Sequence, residues 1–142
     1  MLYDEPDIDD RDPSVTTLPN GDVLVTYFQY LTQSISGSTM ALHEVFAARS
    51  SDGGATFGPF TAITDGPMEA PGAHLSGGIW VDGNDEPIIV HASSSPVVVS
   101  GNRWLLPTYQ GSPLNLSDLA GMPRSRIALW ESTDEGQTWT ET

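Results

Sequence analysis

Short apolar runs, broken every few residues by glycine, proline or aspartate, set the rhythm of this chain. Val23-Leu24-Val25-Thr26-Tyr27-Phe28 follows Pro19-Asn20-Gly21-Asp22, and Arg103-Trp104-Leu105-Leu106-Pro107-Thr108-Tyr109 follows Ser100-Gly101-Asn102. Asn-Gly ahead of an apolar run is a strong hairpin signal. Both runs are apolar at successive rather than alternate positions, which predicts strands buried on both faces, as in sheets stacked around an axis. Two further strands are predicted over His43 to Arg49 and Arg126 to Glu131.

A repeat follows each of these last two runs. Ser50-Ser51-Asp52-Gly53-Gly54-Ala55-Thr56-Phe57 and Ser132-Thr133-Asp134-Glu135-Gly136-Gln137-Thr138-Trp139 share Ser-x-Asp-x-Gly-x-Thr-aromatic, agreeing in type at five of eight positions. Each segment is predicted to be a strand-to-strand turn. The Asp carboxylate accepts nearby backbone N–H groups, Gly takes positive φ, the Thr hydroxyl bonds within the loop, and the aromatic folds back onto apolar neighbours.

The repeating unit therefore reads as strand, hairpin turn, buried strand, variable loop, third strand, boxed turn, fourth strand. Four segments result: an acidic arm over 1–12, a first unit over 13–63, an elaborated connection over 64–95, and a second unit over 96–142. Within the connection, Gly78 to Val81 and Pro87 to His91 are predicted to pair across Asp82-Gly83. The arm Asp4-Glu5-Pro6-Asp7-Ile8-Asp9-Asp10-Arg11-Asp12 has the acids of a hard-cation site but no glycine turn or calcium-loop spacing, so a solvated, partly disordered arm is the expectation.

Composition supports an all-β chain and excludes some functions. Fourteen Gly and eleven Pro favour turns over long helices. Nineteen acidic residues against five arginines and no lysine give a formal charge of −14. Such a surface repels phosphate backbones and anionic lipids, so neither nucleic acid nor a membrane is an expected partner. With no cysteine, thiolate chemistry and sulfur-ligated metals drop out. His43, His74 and His91 are scattered without carboxylates at metal-site spacing, so no metal or cofactor is expected. Met1-Leu2-Tyr3 and the acids after it lack the basic and apolar regions of a signal peptide. The compartment stays open.

The two boxes resemble the Asp-boxes, or BNR repeats, of the sialidase (neuraminidase) superfamily. Arg11-Asp12-Pro13-Ser14-Val15 with Leu18-Pro19-Asn20-Gly21-Asp22-Val23-Leu24 resembles the family's opening Arg-x-Pro segment and first hairpin. Asn102-Arg103-Trp104-Leu105-Leu106-Pro107-Thr108-Tyr109 is similar to the second blade's Gly-Arg-Leu-x-x-Pro strand, and the likeness covers most of Asp10 to Trp139. The resemblance implies antiparallel four-stranded blades of a six-bladed β-propeller, about two of which are present here. Two blades do not close a ring, so the chain is expected either to self-associate, as a homotrimer for instance, or to be a fragment of a longer one. It also implies exo-alpha-sialidase-type hydrolysis of terminal sialic acids, with a glycan partner and often secretion. The alternative is a non-catalytic module for carbohydrate binding or assembly.

For the site, the resemblance places Arg11 on the substrate carboxylate, where a guanidinium fork gives bidentate bonds. The competing reading pairs Arg11 with Asp9, Asp10 or Asp12. Glu69, His74 and Tyr109 are candidates to line a sugar cleft, against plain loop or packing roles. The family's catalytic aspartate has no counterpart: Thr32 to Leu42, expected to be the loop that carries it, has no Asp or Glu, and Thr39 stands near its place. Its Tyr and Glu pair and two other arginines would lie in later blades. Ser50, Asp52, Gly54, Thr56 and Phe57, with Ser132, Asp134, Gly136, Thr138 and Trp139, are assigned to the turns. Arg49 and Arg103 are expected to be structural, Arg124 and Arg126 to be sheet-edge charges, and the four tryptophans to be core.

Overall fold

Eleven strands and no helix occur among the residues described by the computed structural model, 8–118 and 125–142. All strand pairs are antiparallel. The expectation of an all-β chain therefore stands. Residues 1–7 of the arm, and Arg124, lie outside the described residues.

The first sheet runs in sequence order: β1 (Asp9–Thr17), β2 (Val23–Ile35), β3 (Ser38–Ser50) and β4 (Thr61–Ala62). β1 and β2 join through the Asn-Gly turn, where Gly21 sits at φ +89° and its N–H donates to the Leu18 carbonyl at 2.9 Å. β2 and β3 pair without a break from Val23 and Ser50 out to Ile35 and Ser38. This overturns the expected loop over Thr32 to Leu42. Ser36 and Gly37, at φ 49° and 85°, close a two-residue hairpin turn whose positive φ values match the twist of the strands. The polar residues that suggested a loop, Thr32 to Ser34 and Ser38 to Thr39, are strand residues at the end of the ladder.

Asp9 to Asp12 belong to β1, so this end of the acidic arm is exposed but held in the sheet and not disordered, a second correction. Asp9 pairs with Tyr30 and Arg11 with Phe28, and pairing resumes at Ser14 with Thr26. The one extra residue on β1 is taken up as a bulge with Asp12 at φ 50°. An aspartate tolerates that conformation better than most residues.

The second sheet contains β11 (Thr140–Glu141), β10 (Ser125–Ser132) and β9 (Arg103–Gly111) in that order. The far edge of β9 pairs with two short strands, β8 (Val98–Ser100) against its start and β7 (Val90–Ala92) against its end. β7 thus adds a strand to the second sheet from within the stretch read as connection. The predicted pairing across Asp82-Gly83 is present as a bridge between Val81 and Pro87, with Asp82 N–H on the Glu86 carbonyl at 2.8 Å and Ile88 N–H on the Trp80 carbonyl at 3.0 Å, but it extends into no longer ladder. β6 (Ile79–Val81) takes β5 (His74–Ser76) as its ladder partner instead.

The main core lies between the two large sheets. Leu24, Phe28, Val45 and Ala47 of the first meet Trp104, Leu106, Ala128 and Trp130 of the second, with Trp139 packed at the margin. A smaller core under the connection gathers Met40, Leu42, Trp80, Ile88 and Val90. Three tryptophans are buried and the fourth partly so, as expected. β2 is buried at every position from Leu24 to Gln29, in keeping with its unbroken apolar run. β9 and β10 instead alternate, and their second face is open: Tyr109 is 61% exposed, Ile127 72%, and Val98 on β8 57%. The expectation that β9 is buried on both faces fails because no described segment covers that side.

Leu106 is wholly buried between the sheets, so Leu106→Ala should cost about 2–5 kcal/mol. In the single chain, at concentrations below any self-association, Ile127→Ala should change stability by under about 0.5 kcal/mol, since Ile127 there faces solvent. Urea unfolding followed by tryptophan fluorescence measures both.

Candidate functional site

The two boxed turns carry the same hydrogen bonds. Ser50 Oγ donates to Asp52 Oδ1 at 2.7 Å and accepts from Gly54 N–H at 2.8 Å. Thr56 donates its N–H to Asp52 Oδ1 at 2.8 Å and its hydroxyl to Oδ2 at 2.5 Å. In the second turn Ser132, Asp134, Gly136 and Thr138 repeat these four bonds at 2.8, 2.8, 2.9 and 2.6 Å. Gly53 and Gly54 have φ 74° and 93°, and Glu135 and Gly136 take the same left-handed region at 59° and 83°. Gly136 has a packing reason as well, because a Cβ there would come within 2.8 Å of the Trp104 ring. The threonine hydroxyl, its N–H and the serine hydroxyl, in that order, hold each Asp near a pKa of about 2. Both carboxylates therefore face inward on their own turns, not outward to a ligand.

Arg49 links the two units at this end. Its Nε lies 2.7 Å from Asp22 Oδ2, an Nη 3.8 Å from Glu135, and its guanidinium 6.0 Å from the Trp104 ring centroid. Arg103 forms a two-pronged pair with Glu131 at 2.6 and 3.1 Å, and Arg126 meets Glu141 at 2.9 Å. These contacts give all three arginines structural partners.

Arg11 is exposed on β1. Its guanidinium lies 2.6 Å from Asp9 Oδ2 and stacks 4.2 Å from the Tyr30 ring centroid. The carboxylate reading of its partner is thus met within the chain. His74 sits on β5, with Nε2 3.0 Å from Asp85 and Nδ1 3.2 Å from the Gly72 carbonyl. Tyr109 projects from the open face of the second sheet. Glu69 is exposed at the rim of a separate cavity. Among the described residues, Glu69 and Tyr109 line different clefts, and neither cleft is shared with Arg11 or His74.

That cavity, of about 530 Å³, lies between the connection and the second sheet. Asp65, Glu69, Asp82 and Glu141 supply carboxylates to its wall, and Asn84 and Gln110 amides; among the described residues no basic or aromatic side chain lines it.

Sequence reasoning passed over a buried titratable group beside it. Glu44 on β3 is 2% exposed; its Oε1 accepts from the Thr64 hydroxyl and from Val45 N–H at 3.2 Å, while Oε2 has no partner. Gly66 packs so closely that a Cβ would approach Oε2 to 2.6 Å. Burial raises the Glu44 pKa to about 7, offset in part by the Thr64 and Val45 bonds. His91, also buried, has Nε2 3.4 Å from Asp65 and meets Trp130 edge-on, and burial lowers its pKa. A carboxylate within the apolar run Ala41 to Ala47 was the available signal. Packed under Gly66 and Thr64, Glu44 keeps its proton to a higher pH than an ordinary carboxylate.

In comparisons with known proteins, no family model and no curated protein sequence matches this chain.

Because the folded pKa of Glu44 is raised, its contribution to stability is full below the ordinary value of 4.5 and is lost as the pH rises through about 7. His43 works in the opposite sense: burial lowers its pKa to about 4, so its contribution fades as the pH falls. Glu44→Gln removes the first effect alone. Relative to wild type, this variant should gain stability steadily between pH 4.5 and 7 in denaturant titrations; a constant difference would refute the assignment.

Proposed function

We propose that this chain is a sialidase-like pair of propeller blades acting as a non-catalytic assembly module, with its open sheet face as the joining surface. The observation that carries the reading is the contiguous apolar side of the second sheet. Ile127 pairs with Tyr109, Leu129 with Pro107, and Val98 with Leu105, so these six side chains share that face. The opposite side of the same sheet is covered by the first sheet, through the core around Leu106 and Trp130. A further sheet of the same kind would complete the burial, and the free energy of removing several large apolar side chains from water favours it.

The twin turns support the blade assignment, since they close corresponding strands β3 and β10 with the same bonds. Catalysis has less support. Arg11 is neutralised by Asp9, Thr39 is a strand residue beside a tight hairpin, and Glu69, His74 and Tyr109 do not converge. A carbohydrate role without turnover is compatible with this arrangement, but the apolar face is the stronger observation.

Light scattering during gel filtration tests the proposal. Wild type should show a concentration-dependent mass above one chain, with three copies of two blades satisfying a six-bladed ring. Salt should favour assembly, because it screens the repulsion between chains of charge −14. Ile127→Glu should shift the population to monomer without changing the circular dichroism spectrum. A wild-type monomer at every concentration and salt level would overturn the reading. With a fluorogenic sialoside no turnover is expected; turnover abolished by Arg11→Ala would instead favour the hydrolase.

A further inference from the structure

Three consecutive residues after β4 bridge the two large sheets at one edge. The Thr64 hydroxyl donates to Glu44 Oε1 of β3 and accepts from Val45 N–H at 3.3 Å. The Asp65 carboxylate reaches the other way, to His91 Nε2 of β7 at 3.4 Å. Gly66 lies between the two: a Cβ there would come within 2.6 Å of Glu44 Oε2, 2.8 Å of the His43 carbonyl and 3.4 Å of the His91 ring. β3 belongs to the first sheet and β7 pairs with β9 of the second, so this short segment spans the joint between them. Just ahead of it, Ile63 N–H donates to the Val45 carbonyl at 2.8 Å.

What lies under the segment suits one protonation state only. Glu44 and His91 are both buried, and among the described residues Glu44 Oε2 and His91 Nδ1 have no hydrogen-bond partner. A neutral carboxyl tolerates that setting far better than an ionised one, because an unpaired charge held out of water is costly. The Thr64 hydroxyl and Val45 N–H serve Oε1 and leave Oε2 bare. Nor do the surrounding groups compensate a charge there. Asp65 adds one of the same sign, and opposite Glu44 on β2 stands neutral Gln29, bonded to Asp10 of β1. His91 supplies no cation above neutral pH: burial lowers its pKa, with help from Arg126, against the opposing pull of Asp65 and Glu141.

Relief can be local. Gly66 has no side chain to anchor it, and the Asp65 side chain is mostly exposed. Lifting residues 64–66 admits water to Oε2 without parting the core around Leu106 and Trp130.

We propose that Thr64-Asp65-Gly66 is a pH-operated latch between the two sheets, shut over the protonated Glu44 carboxyl and released when that carboxyl ionises. Release uncovers Glu44 and His91 together. Because burial raises the Glu44 pKa to about 7, the latch is shut in mildly acid solution and opens as the pH climbs past neutral. The joining face takes no part in it, so latch and assembly are separate properties.

Native-state hydrogen exchange of the full chain at pH 6 and 8.5, corrected for the intrinsic pH dependence of amide exchange, tests the latch. The protection of Ile63 N–H should fall about tenfold over this interval, the ratio set by a carboxyl that ionises near 7 when covered and near 4.5 when open. At pH 8.5 that protection should not respond to low concentrations of urea, as befits a local opening, whereas the amides of β10 should respond. Glu44→Gln should abolish the pH response of Ile63. Carbethoxylation gives a second reading: at pH 8.5 His91 should be modified in wild type and spared in Glu44→Gln, with the exposed His74 modified equally in both. An Ile63 protection that is the same at both pH values, or that tracks β10 in urea, would overturn the proposal. So would equal modification of His91 in wild type and variant.

Discussion

A carboxylate turned back onto its own loop is the constraint from which the rest of this structure follows. In each boxed turn one Asp side chain takes a threonine N–H, a threonine hydroxyl and a serine hydroxyl, and the serine in turn receives a glycine N–H. These bonds are charge-assisted, and they fix a loop that solvent would otherwise leave mobile. The fixed turn sets where the following aromatic and fourth strand can lie. In the second unit this brings Trp139 to the core margin and leaves Gly136 against Trp104. Local chemistry in eight residues thereby determines how one sheet meets another.

What the two sheets share in their turns they do not share in their surroundings. The central strand of the first sheet is buried over six consecutive residues, whereas the second sheet buries one side and exposes the other. An apolar side that large is costly to leave in water, and a chain carrying fourteen net negative charges gains solubility that offsets part of the tendency to associate. The same excess of acid produces the carboxylate-rich cavity and the shortage of free cations: each described arginine already faces a carboxylate. An anionic sugar would have to displace one of these pairs before it could be bound through arginine.

Much of the fold was legible because strong local signals and the tertiary structure agree. Asn20-Gly21 and Gly101-Asn102 mark hairpin turns, Val23 to Phe28 marks a strand buried on both sides, and the boxed segments mark turns whose bonds follow from residue type alone. Where legibility failed, the deciding contact was remote in sequence. Thr32 to Ser34 look like loop until β3 is seen to run beside them, and Ser36-Gly37 is a weaker turn signal than Asn-Gly. Asp9 to Asp12 look like a solvated tail, yet β2 offers them a ladder and Asp12 accommodates the bulge. Val90 to Ala92 read as connection because their partner lies on β9, about twenty residues on. For the candidate site the sequence named Glu69 as a cleft residue, but it placed Glu44 merely within a strand. The burial of Glu44 depends on Gly66 and Thr64, which only the folded chain brings over it.

Native-state hydrogen exchange at the turn amides tests the central account most directly. The N–H groups of Gly54, Thr56, Gly136 and Thr138 are all donated to side-chain oxygens, although they lie at the surface in segments without regular structure. If these turns are the fixed points of the fold, their exchange should be slowed to rates comparable with the amides of β3 and β10. Exchange at the rate of an open surface loop, with the strands still protected, would contradict it.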